Sequence, residues 1–217
     1  MSPRRVDEAE RAGVIIASAA RLFREKGVRS VSIDEIVQGA GIAKGTFYLY
    51  FKTKDDLLEK LADAVVRQMV AAAATAAAET EGRALDRFAA AVIAMQRVDR
   101  GEKYLVDALN HPENSVLHDL ANTALVRNVA PVLAAIVEAG RAEGDFDVDD
   151  ALSTVEFLLA GQAALLGGGR FNWSPAEHAI RLRATLIVVE RALGAQPGAL
   201  LTRLAPVATQ GGAENAR

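Results

Sequence analysis

Apolar residues recur along most of this chain at steps of three and four, the period of helices that bury one face. Ile15, Ile16, Ala19, Leu22 and Phe23 mark the first, with Arg11, Arg21 and Arg24 between them. It is expected from about Glu8 to Lys26, with Gly27 supplying the stop. Ser32 and Glu35 have capping-box spacing, in which hydroxyl and carboxylate satisfy orphan backbone donors, so a second helix should open at Ile33. Gly39 and Gly41 keep it short. A third short helix is predicted from Lys44 to about Tyr50, with Phe47 and Phe51 on one face. Thr53 then caps a long fourth helix, whose apolar set Leu57, Leu58, Leu61, Val65, Met69 and Val70 runs into the alanine tract Ala71 to Ala78.

Beyond Gly82 the same period continues with short breaks, and no stretch alternates as a strand would. Helices are expected at Arg83 to Arg100, Glu102 to Asn110, Ser115 to Glu143, Asp149 to Leu166 and Pro175 to Leu193. Pro131 should kink or split the middle one near Asn128, because proline removes a helical hydrogen bond and crowds the preceding turn. Ser174, Pro175 and Glu177 open the last helix as cap, first residue and capping-box partner. Gly167 to Gly169 form the loop before it. From Ala208 onward periodicity stops and a disordered tail is expected. The fold class is therefore all-α, with residues 1–53 as a head, 54–207 as a larger body and 208–217 as the tail.

Composition narrows the function classes. Alanine is the commonest residue, 43 of 217 positions, and cysteine is absent, which removes disulfides, thiolate metal sites and cysteine nucleophiles together. We find no uninterrupted apolar run of spanning length and no secretory leader pattern, so no membrane partner and a cytoplasmic location are expected. The formal net charge of −3 is unevenly spread. Residues 1–60 hold eleven Lys/Arg against nine Asp/Glu, whereas the rest is acidic, and Ile36 to Lys54 contains Lys44, Lys52 and Lys54 without one acid. A basic patch on an otherwise acidic chain suits a nucleic-acid reader with a separate body.

Two short helices joined by a glycine-containing turn and packed on a longer first helix form the helix-turn-helix arrangement, whose second helix enters the major groove. Gly45 is a poor residue for the first turn of that helix and suggests that something approaches its backbone closely. Tyr48 and Tyr50 lie two apart, so they cannot share a face with Phe47 and Phe51, and Tyr48 should project outward. At Ala19 to Phe23, Gly27, Ser32, Ile33, Ile36, Ala40 to Ile42, Lys44 to Tyr48, Tyr50, Phe51, Lys54, Leu57 and Leu58, the sequence resembles the TetR family of bacterial transcription regulators. The resemblance covers about Ala17 to Leu58. It implies a homodimer with a DNA-binding head and a ligand-binding, dimerising body, most often a repressor that a small hydrophobic effector releases from a palindromic operator in double-stranded DNA. It further implies groove contacts from Lys44 and Thr46 beside Gly45, phosphate contacts from Tyr48, Tyr50, Lys52 and Lys54, and backbone contacts from Ser32 and Gln38. The chain departs from the family at Ala43, where a capping serine or threonine is usual, and at Tyr50, where histidine is.

Other features carry weaker chemistry. Asp145, Asp147, Asp149 and Glu156 have the spacing of a calcium loop, but Asp150 stands where such loops need glycine, so helix capping is the expected role. His111 and His118 have no carboxylate placed to complete a metal site, and no nucleophile elbow or phosphate loop is visible. No metal, cofactor or catalytic residue is assigned; a helical-bundle enzyme or lipid-binding protein is the alternative. In the body, Phe88, Met95, Tyr104, Asn122 and Gln162 mix apolar and polar groups as an effector pocket does. The last two long helices are apolar on more than one face, so Phe157, Leu165, Leu182, Leu186 and Val189 are assigned to a dimer interface. Arg4 and Arg5 are candidates for a DNA-contacting arm.

Overall fold

The computed structural model describes residues 3–102, 105, 115–167 and 171–204, without side chains for 3–10, 99–100 and 115–117. Among these residues there is no strand. The helices are α1 (Pro3–Lys26), α2 (Ile33–Ala40), α3 (Lys44–Tyr50), α4 (Lys54–Glu79), α5 (Ala84–Gly101), α6 (Ser115–Glu143), α7 (Ala151–Leu166), α8 (Pro175–Ala192) and a short α9 at 199–204, with a 3-10 turn at Val28–Ser30. Apart from Glu102 and Leu105, the predicted helix at Glu102 to Asn110 lies outside the described residues, as do the side chains of Arg4 and Arg5, Tyr104, His111, Gly168, Gly169 and the tail from Ala208.

By packing, the chain divides into two compact units: Met1–Val65 with Glu102–Ala121, and Val66–Gly101 with Asn122–Arg217. The division falls inside α4, because its first turns bury Leu57, Leu58, Leu61 and Ala62 with the head. The head core is built from Ile15, Ala19, Leu22 and Phe23 of α1, Ile36 and Val37 of α2, Phe47 of α3 and Phe51 just after it. α1 is held against α2 by the Ser18 hydroxyl, which donates to the Ile36 carbonyl at 3.0 Å.

In the body, α5 to α9 enclose a core that includes Phe88, Val129, Leu133, Val137, Phe146, Val155, Leu186, Val189, Leu193 and Leu200. The acidic turn after α6 is used internally. Glu143 accepts from the Ala84 amide at 2.8 Å and Asp145 from the Leu85 amide at 3.2 Å, so two carboxylates satisfy orphan donors in the first turn of α5. Arg83 pairs with Asp145 at 2.7 Å and Arg87 with Glu143. Asp150 is the N-cap of α7, accepting from the Ser153 amide at 2.9 Å. Of the residues in the calcium-loop stretch, Asp145 and Asp150 are thus engaged at helix N-termini.

Pro131 does not split α6. It lies on the exposed side of the helix, between the fully buried pair Val129 and Ala130 and buried Leu133, so core packing carries the helix through. By length and mean hydropathy, Lys54–Glu79 (1.2) and His118–Glu143 (1.5) are long and apolar enough to cross a bilayer, although no such run was expected. Alanine raises their mean hydropathy between charged ends, and Leu57, Leu58, Leu61, Leu133 and Ile136 among their large apolar side chains are buried inside the two cores. α9 was not foreseen. Leu200 and Leu204 are buried in the body core, and Arg203 donates to Asp86 at 2.8 Å.

Candidate nucleic-acid interface

The head presents two short helices in a fixed register. Ser32 caps α2, accepting from the Glu35 amide at 3.2 Å while its own amide donates to the Glu35 carboxylate at 2.9 Å. Lys26 approaches the same carboxylate at 2.8 Å. That Lys26 contact, followed by the Ser32 bonds, lowers the Glu35 pKa to about 2. α2 ends at Gly41, whose left-handed conformation (φ 67°) turns the chain at once toward α3. Any side chain there would be strained. Ala43 occupies the N-cap of α3 without a side-chain bond, as its methyl dictates.

Phe47 is fully buried, with Phe51 beside it at 5.6 Å between ring centroids. The side of α3 away from them is exposed. Tyr48 is half exposed and meets the Phe47 ring edge-on, and Thr46 and Tyr50 are half-buried. Gly45 is exposed, has no positive φ, and a Cβ there would meet nothing. Internal packing therefore does not require glycine at this position. Lys52 is exposed, and so are Ser32 and Gln38, although the Ser32 hydroxyl is engaged in the α2 cap.

Two lysines behave differently from the sequence expectation. Lys44 sits 2.8 Å from Asp34 of α2, a hydrogen-bonded pair that raises the lysine pKa. Lys54, expected on phosphate, turns inward: its ammonium donates to the Val28 carbonyl at 3.0 Å and the Val31 carbonyl at 3.2 Å. The Val28 carbonyl also accepts from the Val31 amide at 3.4 Å within the 3-10 turn, and the stem of Lys54 is long enough to reach both carbonyls. The residue that sequence reasoning passed over is Leu49, 80% exposed on α3. Its four-residue step from Gly45 was the available signal.

In the body, Phe88 is 4% exposed and packs edge-on to Phe146 at 5.8 Å, while Met95 lies partly buried against the same core. Asn122 and Gln162 are half-buried, and Gln162 donates to the Thr185 hydroxyl at 3.4 Å across α7 and α8. Gln96, not picked out in the sequence, buries its amide oxygen with no partner among the described residues. Of the residues assigned to a dimer interface, Phe157 is 78% exposed, and Leu165 and Leu182 are half-buried. Leu186 and Val189 are instead buried in the body core, so they have little surface to offer a second copy. Ile180 and Val188, also exposed, continue an outward stripe on α8 through Ala184. At the start of that helix Trp173 stacks on Phe171 at 5.1 Å, carries the Arg181 guanidinium 3.4 Å from its ring centre, and donates to the Leu165 carbonyl at 3.0 Å.

A helix-turn-helix head with an exposed second helix, joined to a separate helical body, defines a DNA-binding regulator. Residues 15–61 match the family model for bacterial regulatory proteins of the tetR family, and residues 97–186 match that for the tetracyclin repressor-like C-terminal domain. Together these cover more than half of the chain, which belongs to the TetR family of transcriptional regulators. Among curated relatives, the chain is 37% identical over 59 residues to the HTH-type transcriptional regulator EthR of Mycolicibacterium smegmatis. It is 41% identical over 54 residues to EthR of Mycobacterium tuberculosis. These matches span only 27% and 25% of either chain. Among solved structures, RolR without ligand superposes with a TM-score of 0.60 at 22% identity, over 91% of this chain and 96% of that one. A gamma-butyrolactone receptor (ArpA like protein) gives 0.51 at 20%, over 95% and 98%. At such identities the likeness is one of fold.

Proposed function

We propose that this chain is a repressor that binds a palindromic operator as a homodimer and leaves it when a small hydrophobic effector occupies the body. The observation that carries the reading is the outward face of α3. Tyr48 and Gly45 stand exposed there, with Lys52 close behind, on a head whose core is complete without them. Tyr48 and Lys52 would hold phosphate, and Thr46 and Lys44 would reach base edges, Lys44 once it leaves Asp34. The exposed α7 and α8 surface at Phe157, Ile180 and Val188 supports a second copy, which would supply the other half-site reader.

The effector reading rests on Met95, Asn122 and Gln162, with Phe88 as supporting core and the Gln96 oxygen, which has no partner among the described residues, as a further acceptor. A body of this fold also occurs in the protein described as a gamma-butyrolactone receptor, which gives a small-molecule ligand precedent within the fold. A ligand preferring one arrangement of the dimer would shift DNA affinity by its differential affinity alone. The test is selection of duplexes from a random pool, followed by affinity against salt. A palindrome with steeply falling affinity is expected, and retention without sequence preference would sink the operator reading. Phe157→Arg should leave a folded monomer that has lost operator affinity. Hydrophobic compounds that stabilise the parent in thermal-shift assays should fail on Met95→Arg and Asn122→Leu; equal stabilisation would place the pocket elsewhere.

A further inference from the structure

α3 advances about 100° per residue, so angles measured from buried Phe47 decide what the helix shows outward. Tyr48 and Thr46 lie about 100° to either side, whereas Gly45 and Leu49 lie about 160° away, on opposite sides of the same outward line. The centre of the exposed face is therefore Gly45 with Leu49 one turn below it. The flanks are Tyr48 and Thr46. This agrees with the burial: Leu49 is 80% exposed, Tyr48 50%, and Thr46 half-buried. Gly45 has open space where its Cβ would be, so a surface can approach the backbone there and still meet the Leu49 side chain.

Leu49 brings no charge, donor or acceptor, so it can neither hold a phosphate nor hydrogen-bond a base edge. The major groove offers one apolar group, the C5 methyl of thymine. Resting on the DNA-binding role of the head, we propose that Leu49 is a specificity-determining residue that reads thymine methyl groups in the operator half-site. Gly45 gives the helix the close approach this contact needs, and Thr46, on the neighbouring flank, adds a hydroxyl for an adjacent base. The preference it creates is for thymine against cytosine and against uracil, which presents the same hydrogen-bonding edge as thymine without the methyl.

The experiment uses the full chain and the operator selected from a random pool, with each thymine replaced singly by deoxyuridine. At one or two positions in each half-site the parent should lose roughly three- to fivefold in affinity, the worth of one buried methyl. Leu49→Ala should bind thymine and uracil operators equally at those positions. Its affinity for unrelated duplex at low salt, and its salt slope, should match the parent, because no phosphate contact is removed. Unchanged parent affinity for every uracil operator would overturn the proposal, as would a Leu49→Ala loss equal on specific and unrelated DNA. Failure of the parent to retain any duplex at low salt would instead overturn the DNA-binding reading beneath it. Leu49 is exposed, so its truncation leaves folding unaffected, which a thermal melt checks.

Discussion

Replacing Lys54 by methionine keeps the aliphatic stem and removes the ammonium, leaving the carbonyls of Val28 and Val31 without the donor now 3.0 and 3.2 Å away. Each hydrogen bond from a charged group contributes roughly 1.5–3 kcal/mol. Lys54 is only half-buried, and water can replace part of that on the exposed side, so the pair together is worth about 2 kcal/mol. The head should lose that much stability in urea unfolding followed by circular dichroism. Operator affinity, measured well below the unfolding midpoint, should keep the parent's slope against log salt. A lysine on phosphate behaves oppositely: its loss lowers the slope by about 0.9 for each subunit of the bound dimer and leaves stability within about 0.5 kcal/mol. Lys52→Met is expected to show that second pattern. If Lys54→Met is as stable as the parent and its slope falls by about one per subunit, Lys54 holds phosphate and the inward role is wrong.

Three further outcomes follow from local geometry. Ala43→Ser should supply the missing cap of α3 and stabilise the head by about 0.5–1 kcal/mol in chemical denaturation; no change would mean the extended N-cap geometry is not kept. Gly140→Ala would put a Cβ 2.7 Å from Ala84 Cβ and inside the Phe146 ring contact, neither able to swing aside, so a loss of about 1–3 kcal/mol is expected despite alanine's better helix propensity. A gain would refute that packing. Glu35 titrates near 2 when folded against 4.5 for the unreacted group, so its contribution is fully present above about pH 4.5 and disappears as pH falls toward 2. Glu35→Gln should be less stable than the parent at pH 7 and lose less between pH 4.5 and 2. Parallel acid curves for the two proteins would deny the Lys26 and Ser32 contacts their effect.

Local chemistry was the part written plainly in the chain. Ser32 with Glu35 and Ser174 with Glu177 announce their helices because each pair closes its capping bonds within one turn, and both boxes form. The resemblance across the head carried the placing of α2 and α3 for the same reason, since both are fixed by neighbours in sequence. Long-range partners were invisible. The sequence showed Lys54 as one charge in a basic run, and nothing near it revealed that two carbonyls 23 and 26 residues earlier would claim it. Leu186 and Val189 belong to a helix apolar on several faces, and periodicity alone does not say which face turns to the chain's own core and which to a partner. Pro131 was read from local sterics, whereas burial of Val129, Ala130 and Leu133 around it decided the outcome. Leu49 was passed over because an apolar residue between aromatics reads as core until the burial of Phe47 orients the helix.

The indole of Trp173, held between Phe171 and Arg181, is the chain's only tryptophan, and it belongs to the body unit. Emission excited at the red edge of aromatic absorption, where tyrosine is silent, therefore follows the body alone. Tyrosine emission follows the head unit instead, because Tyr48 and Tyr50 lie there. The natural sequence thus carries a built-in optical separation of its two units. Coincident melting curves from the two signals would show that they unfold as one cooperative system, and a gap between them would measure how far each stands by itself.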